Sequence, residues 1–244
     1  MTSRAASESS VAAFWDSLYS KSSYSRAPEE AVLNDAIRFF GELRDKRLVE
    51  IGAGPGAAAL HLATQAGSVI GIDLSKRAID DLNAYCAANG VKNVRGVCAS
   101  AFAIADMEPA DFVYGSMILH HLEPFEDFAR VLNKAIRPGG KAFFYENSAV
   151  SSLLVWFRQH VVGHLWIPKY GDDDEFPLTP AEIAVLRRYF TVRVEYPELL
   201  FFRLASQYLF RGHLMRPMAA LDSFFYRRGW LLRYSYRQYV LLSK

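Results

Sequence analysis

The stretch "RLVEIGAGPGAAAL", residues 47–60, decides the fold. "RLVEI" is a short apolar run of the kind that makes a buried strand. Gly52, Gly54 and Gly56 then fall at every second position, and the alanines from Ala57 onward restart the chain as a helix. A strand, a bare turn and a helix start make a nucleotide-type site. Small residues let a ligand approach the backbone, and the N–H groups of a helix's first turn have no intrahelical partners. Glycine spacing alone is common, so the flanking sequence has to decide.

Outward from that turn, "SVIGID" reads as a second buried strand ending in Asp73, after a helix that stops near Gly67. "SKRAIDDLNAYCAANG" is the next helix, opened by Ser75 as N-cap and closed by Gly90. "VRGVCAS" and "ADFVYGSMIL" are the third and fourth strands, "FEDFARVLNKAI" a helix stopped by "RPGG", and "KAFFYEN" the fifth strand. Before the turn, residues 1–10 are Ser/Ala-rich and read as loose. Helices are expected from Val11 to Tyr19 and from Glu29 to Leu43. Short apolar strands alternating with amphipathic helices indicate right-handed crossovers. Beyond Asn147, "LTPAEIAVLRRYF" carries a capping box, with Thr179 at N-cap, Pro180 at N1 and Glu182 at N3. "TVRVEY" and "QYVLLSK" are the last strand candidates, with about forty aromatic-rich, helical residues between them. The predicted fold is α/β: a Rossmann-like, seven-stranded, mostly parallel sheet with helices on both faces and a C-terminal helical insertion between the last two strands. The expected division is an N-terminal helix and lid over 1–30, a ligand-binding core over 31–150, and a C-terminal part over 151–244, with an aromatic lid at about 197–237.

Composition narrows the function classes. The chain has 244 residues, 51% hydrophobic and 22% charged, with a net charge of +2, too small to argue for nucleic acid as a partner. Cys86 and Cys98 have neither disulfide-framework nor zinc spacing, which suits a reducing cytosol. No apolar run reaches the roughly 20 residues of a membrane-spanning helix, and the N-terminus lacks the apolar core of a signal peptide.

Asp73 lies 21 residues after Gly52, where a carboxylate can accept from both hydroxyls of a ribose. Nicotinamide and flavin sites use G-x-G-x-x-G around a pyrophosphate. Here the order is E-x-G-x-G-x-G, with Glu50 two residues before the first glycine. A carboxylate there opposes a phosphate and suits a ligand carrying an ammonium group. The pattern resembles the first motif of the class I S-adenosylmethionine-dependent methyltransferases, and the resemblance runs over residues 11–147. "ADFVYGSMILHHLEPFEDFARVLNKAIRPGGKAFFYEN" is similar to the family's small-molecule, type 11 branch. The resemblance implies S-adenosyl-L-methionine as cofactor, with Glu50, Gly52, Ala53, Gly54 and Gly56 around its amino-acid end and Asp73 and Leu74 at the ribose. It places Ser116 and Met117 along the ligand and Tyr24, or Tyr19, in the segment that closes over it. The family usually carries an Asp for the adenine amine after the third strand. Here the segment reads "CASAFAIA", so Ser100 and the Ala101 or Phe102 backbone stand in, or Phe102 packs on the ring.

Methyl transfer is an in-line displacement that needs positioning and a route for a proton. His120 and His121, just past the fourth strand, are the candidate bases. The alternative, that "HHL" is a structural signature, stays open. "NPPY" and "DPPY" are absent, which argues against base or glutamine amino-methylation. "GDDDEF" at residues 171–176 reads as a solvated turn, and the His160/His164 pair lacks a carboxylate motif, so no metal site is expected. The C-terminal aromatics and Arg211, Arg216, Arg227, Arg228 and Arg233 fit a lid and covering layer. A membrane-surface or dimer patch is the alternative.

The reading is a methyltransferase acting on a small, partly hydrophobic acceptor (a secondary metabolite, quinone or lipid-like molecule), oxygen slightly preferred over nitrogen or carbon. It would be cytoplasmic and a monomer or homodimer, with no nucleic-acid partner, no integral membrane segment and peripheral membrane contact left open. The rivals are an NAD(P)-dependent oxidoreductase and a non-catalytic S-adenosylmethionine-binding partner protein.

Overall fold

In the computed structural model, which describes residues 2–20, 29–151, 156 and 177–244, the apolar run before the glycines is strand β1 (Arg47–Ile51). Four more parallel strands surround it: β2 (Ser68–Asp73), β3 (Val94–Cys98), β4 (Ala110–Ser116) and β5 (Ile136–Asn147). Strands β6 (Thr191–Glu195) and β7 (Arg237–Ser243) finish the sheet, with β7 antiparallel to both neighbours. The order is β3-β2-β1-β4-β5-β7-β6. The chain steps outward from β1 through β2 to β3, then returns to the other side of β1 for β4. The crevice beyond the carboxyl ends of β1 and β4 is therefore the switch point where such sheets bind ligands.

Strand alternation sends neighbouring side chains into two cores. Val49 and Phe144 face helices α5 (Phe125–Ala135) and α6 (Pro180–Leu186), in a core with Phe128, Leu132, Ile183 and Leu186. Leu48 and Phe143 face the other side, with residues of α2 (Glu30–Phe40), α3 (Ala57–Leu62) and α4 (Lys76–Asn89). Stacked Phe40 and Phe112, with centroids 4.8 Å apart, bind α2 to β4. The expected capping box opens α6: Glu182 N–H donates to Thr179 Oγ1, and Thr179 N–H to Glu182 Oε2. Between β6 and β7 run α7 (Phe201–Leu209) and α8 (Met215–Arg227), the expected helical insertion.

Several boundaries differ from the sequence reading. Helix α1 (Thr2–Tyr19) begins near the first residue rather than at Val11. Helix α2 ends at Phe40 rather than Leu43, because Gly41 turns to φ +89°. Helix α3 ends at Leu62, well before Gly67. That glycine permits a close approach instead of capping a helix: a Cβ on it would lie 2.7 Å from Asp45 Cα, and its N–H donates to Leu43 O. "RPGG" ends α5 as expected yet belongs to β5, which starts at Ile136.

Candidate functional site

The bend after β1 is built so that its backbone, not its side chains, faces the crevice. Gly52 and Ala53 N–H both donate to Ile72 O, at 2.9 and 3.0 Å, which ties the bend to β2. Gly56 caps α3 at φ +81°, and a Cβ there would lie 2.3 Å from Leu82 Cδ1, so no other residue fits. Gly54 sits at φ +51°, and a Cβ there would stand 2.7 Å from the Tyr19 hydroxyl oxygen of α1.

Two carboxylates bracket this bend. Asp73, at the end of β2, accepts from Gly54 N–H at 2.7 Å and Ser75 N–H at 2.8 Å. Burial raises its pKa above the ordinary aspartate value, the Ser75 and Gly54 N–H donors oppose this, and Asp16 adds a like charge. Glu50 is buried in β1. Burial holds its carboxyl well above the ordinary value, the Ala59 N–H pulls it down, and the Asp73 charge raises it further. Its Oε2 is buried with no hydrogen-bond partner. An orphaned acceptor beside a second carboxylate is costly without a ligand that supplies donors and positive charge. The ammonium of S-adenosylmethionine is such a group, and the donor set therefore fits that cofactor; a pyrophosphate would be repelled. Leu74 N–H also donates towards Asp73.

Helix α1 crosses the carboxyl ends of these strands. Glu8, Asp16 and Tyr19 recur at helical spacing and so share one face. Asp16 Oδ1 accepts from Ser75 Oγ at 2.5 Å and from Arg77 N–H at 3.1 Å, pinning α1 to the start of α4. Ser100 Oγ donates to Glu8 Oε1 at 2.8 Å. Ser100 also caps the short 3-10 turn Ala101–Asp106, accepting from Phe102 N–H at 3.4 Å. Ala101 is buried, and the Phe102 ring packs edge-on against Phe128, with centroids 5.5 Å apart.

On the other side of the switch point, Met117 follows β4 at φ +53° and donates its N–H to Tyr145 O. Its sulfur lies 3.3 Å from Arg237 Nη1, and the Ser116 side chain bonds to buried Tyr114. The histidines separate in role. His120 has a ring only 2% exposed, with Nδ1 2.7 Å from Glu146 Oε2, and His121 is exposed. Glu146 Oε1 accepts from Ile118 and Leu119 N–H at 2.8 and 2.7 Å, so one fully buried carboxylate fixes both the backbone after β4 and the imidazole. With Nδ1–H donating to Glu146, Nε2 is left as the basic nitrogen.

The structure thus brings Glu50, Gly52, Ala53, Gly54, Gly56, Asp73, Leu74, Ser100, Ala101, Phe102, Ser116, Met117, His120 and His121 to the carboxyl ends of β1–β5. Tyr24, the His160/His164 pair and the 171–176 loop lie outside the described residues. Glu146, Glu8 and Asp16 were not singled out from sequence. Glu146 had a signal, a charged residue closing the apolar run "KAFFYEN" on the same edge as Asp73. Among the described residues, no group of three or more His, Cys, Asp or Glu could hold a metal ion, and no helix is long and apolar enough to cross a membrane.

The family model described as "Methyltransferase domain" matches residues 48–140. The ubiquinone biosynthesis O-methyltransferase of Idiomarina loihiensis is 27% identical over 143 residues, covering 57% of this chain and 58% of that protein. The one of Cupriavidus pinatubonensis is 30% identical over 151 residues, covering 60% and 59%. The chain therefore spans just under three-fifths of the length of these relatives. Among solved structures, the YcgJ protein of Bacillus subtilis superposes with a TM-score of 0.59 at 15% identity, covering 88% of this chain and 97% of that one. Geranyl diphosphate C-methyltransferase of Streptomyces coelicolor gives 0.56 at 15% identity, covering 88% and 78%. The chain thus shares the fold of these structures and carries, over residues 48–140, a match to a methyltransferase domain.

Proposed function

We propose that this protein transfers a methyl group from S-adenosylmethionine to a hydroxyl of a small, partly hydrophobic, quinone-like phenol. The observation that carries the cofactor is the pair Glu50 and Asp73 around the glycine bend, with a buried Glu50 oxygen lacking a donor. The acceptor class is supported by the relatives, which are named as ubiquinone biosynthesis O-methyltransferases. When bound, the cofactor supplies an electrophilic methyl on a sulfonium.

The chain's own residues do the rest. The bend and Asp73 hold the nucleoside, and Glu50 receives the ammonium end. Glu146 holds the Nδ1–H of His120, so that Nε2 takes the phenol proton and the carboxylate stabilises the resulting imidazolium. A phenol is only weakly acidic, so a base matters more here than for an acceptor already ionised. Helix α1 acts as a lid over the cofactor, pinned through Asp16. Helices α7 and α8 form an aromatic layer, with Phe202 and Phe225 stacked at 5.5 Å, that covers the acceptor side.

The test is transfer of a labelled methyl from S-adenosylmethionine to a panel of phenols and catechols with and without alkyl chains, read by mass spectrometry. Label on a hydroxyl of the apolar catechols is expected. Binding of S-adenosylhomocysteine with no transfer to oxygen, nitrogen or carbon would leave a non-catalytic cofactor-binding protein.

A further inference from the structure

The segment that follows β3 has no carboxylate near its start. After Cys98 it reads Ala99, Ser100, Ala101, Phe102, Ala103, Ile104 and Ala105, and only then Asp106, which is exposed. Yet this segment stands next to the ribose site, because Cys98 is the β3 register partner of Asp73 on β2. Adjacent strands lie about 4.8 Å apart. A nucleoside whose ribose is held by Asp73 therefore extends its base toward Ser100.

The carboxylate that meets Ser100 comes from 92 positions away in sequence, on α1. Ser100 Oγ donates to Glu8 Oε1 at 2.8 Å, while its oxygen accepts from Phe102 N–H. The hydroxyl proton is thereby committed to Glu8, and Ser100 acts as a bracket that orients the carboxylate. A carboxylate has about four lone-pair directions, so it can accept from more than one donor at once. The helix bearing Glu8 is fixed independently by Asp16, two turns further on, at Ser75 and Arg77. Glu8 is thus an acceptor held at the base end of the nucleoside by two separate anchors.

We propose that Glu8 is a specificity-determining residue that accepts the exocyclic amine of the cofactor's adenine, so that closure of α1 completes the base subsite. The inference rests on the cofactor reading above. An amine donating to a carboxylate makes a charge-assisted bond. An analogue bearing a carbonyl at the same position faces that carboxylate oxygen to oxygen and is rejected.

Calorimetric titration of the full chain with S-adenosylhomocysteine and with S-inosylhomocysteine, which replaces the amine by a carbonyl, tests this. The unaltered protein should bind S-adenosylhomocysteine at least about tenfold more tightly. Glu8→Ala should collapse that ratio toward one, mainly by weakening S-adenosylhomocysteine. Glu8→Gln, which keeps a partner for Ser100 and the docking of α1, should also lose discrimination, because an amide can accept from the amine or donate to the carbonyl. Equal weakening of both ligands in Glu8→Ala, or a ratio unchanged in both variants, would overturn the inference while leaving the cofactor reading intact. If the unaltered protein binds neither ligand, the cofactor reading fails and this inference fails with it.

Discussion

The Gly54 N–H donates to Asp73 Oδ2 at 2.7 Å, so the carboxylate that ends β2 reaches back into the bend that follows β1. One side chain thus does two things. It fixes the position of the bend and places a carboxylate at the switch point. Removing it should therefore hurt binding more than folding. Asp73→Ala is expected to weaken S-adenosylhomocysteine by about 1.5–3 kcal/mol for each charged hydrogen bond lost, an order of magnitude or more in Kd. Calorimetry on folded variant reads this directly, and an unchanged Kd would remove Asp73 from the site.

Glu50 makes a pH prediction whose sign follows from burial. Its folded-state carboxyl titrates well above the ordinary 4.5, so the folded protein keeps a proton that the unfolded chain has already lost. The stability this group contributes is complete below the unfolded value and is lost as pH rises through the folded one. Glu50→Gln cannot ionise. Its thermal stability should fall less than that of the unaltered protein as pH rises from about 4.5, while cofactor affinity drops. Parallel Tm-versus-pH curves for the two proteins would show that Glu50 is not a strained buried acid.

Gly56→Ala should be among the most damaging single-atom changes. The residue sits at φ +81°, and the new methyl would lie 2.3 Å from Leu82. Backbone strain costs about 1–3 kcal/mol and overpacking a similar amount. Thermal denaturation should show a lowered Tm, and a variant as stable as the original would contradict the bend geometry.

Asp222 tests the C-terminal layer separately from the cofactor. It is buried on α8, accepts from the N–H groups of Phe202 and Arg203 at 2.9 Å each, and pairs with Arg203 Nε at 3.2 Å. Helix α7 has no side-chain cap of its own, so Asp222 serves as one from across the hairpin. Asp222→Ala leaves those donors without acceptors and should cost about 2–4 kcal/mol of stability. Steady-state kinetics should show a raised KM for the acceptor with the cofactor affinity retained. Loss of cofactor affinity instead would mean that the layer supports the nucleoside site.

The Glu146–His120 pair predicts a kinetic split. Glu146→Gln keeps the shape but offers an amide where the carboxylate held Nδ1–H, so kcat should fall by about a hundredfold or more, with the pH profile shifted. His121→Ala should change kcat little. A large loss in His121→Ala with normal activity in His120→Ala would move the base to the exposed ring.

Local signals made the first half of the site legible. The bare bend, the Ser75 cap and the strand-ending Asp73 each follow from a few consecutive residues. What stayed hidden depended on distant partners. His120 and Glu146 are 26 positions apart, and only the β4–β5 pairing brings them together. Glu8 and Asp16 act on residues 92 and 59 positions away, on a helix whose polar, Ser/Ala-rich start gave no apolar stripe to read. Gly67 carries the same ambiguity in miniature. A glycine after a helical run suits a cap, and only the packing of Asp45 against it reveals the close approach.

The central claim is that Glu50 and Asp73 cradle a sulfonium nucleoside at the bend between β1 and α3. A crystal structure of the protein grown with S-adenosylhomocysteine tests it most directly. The account predicts both ribose hydroxyls within hydrogen-bond reach of the Asp73 carboxylate and the ammonium end against residues 50–56. Adenosine density away from that bend, with both carboxylates remote from the ligand, would contradict it.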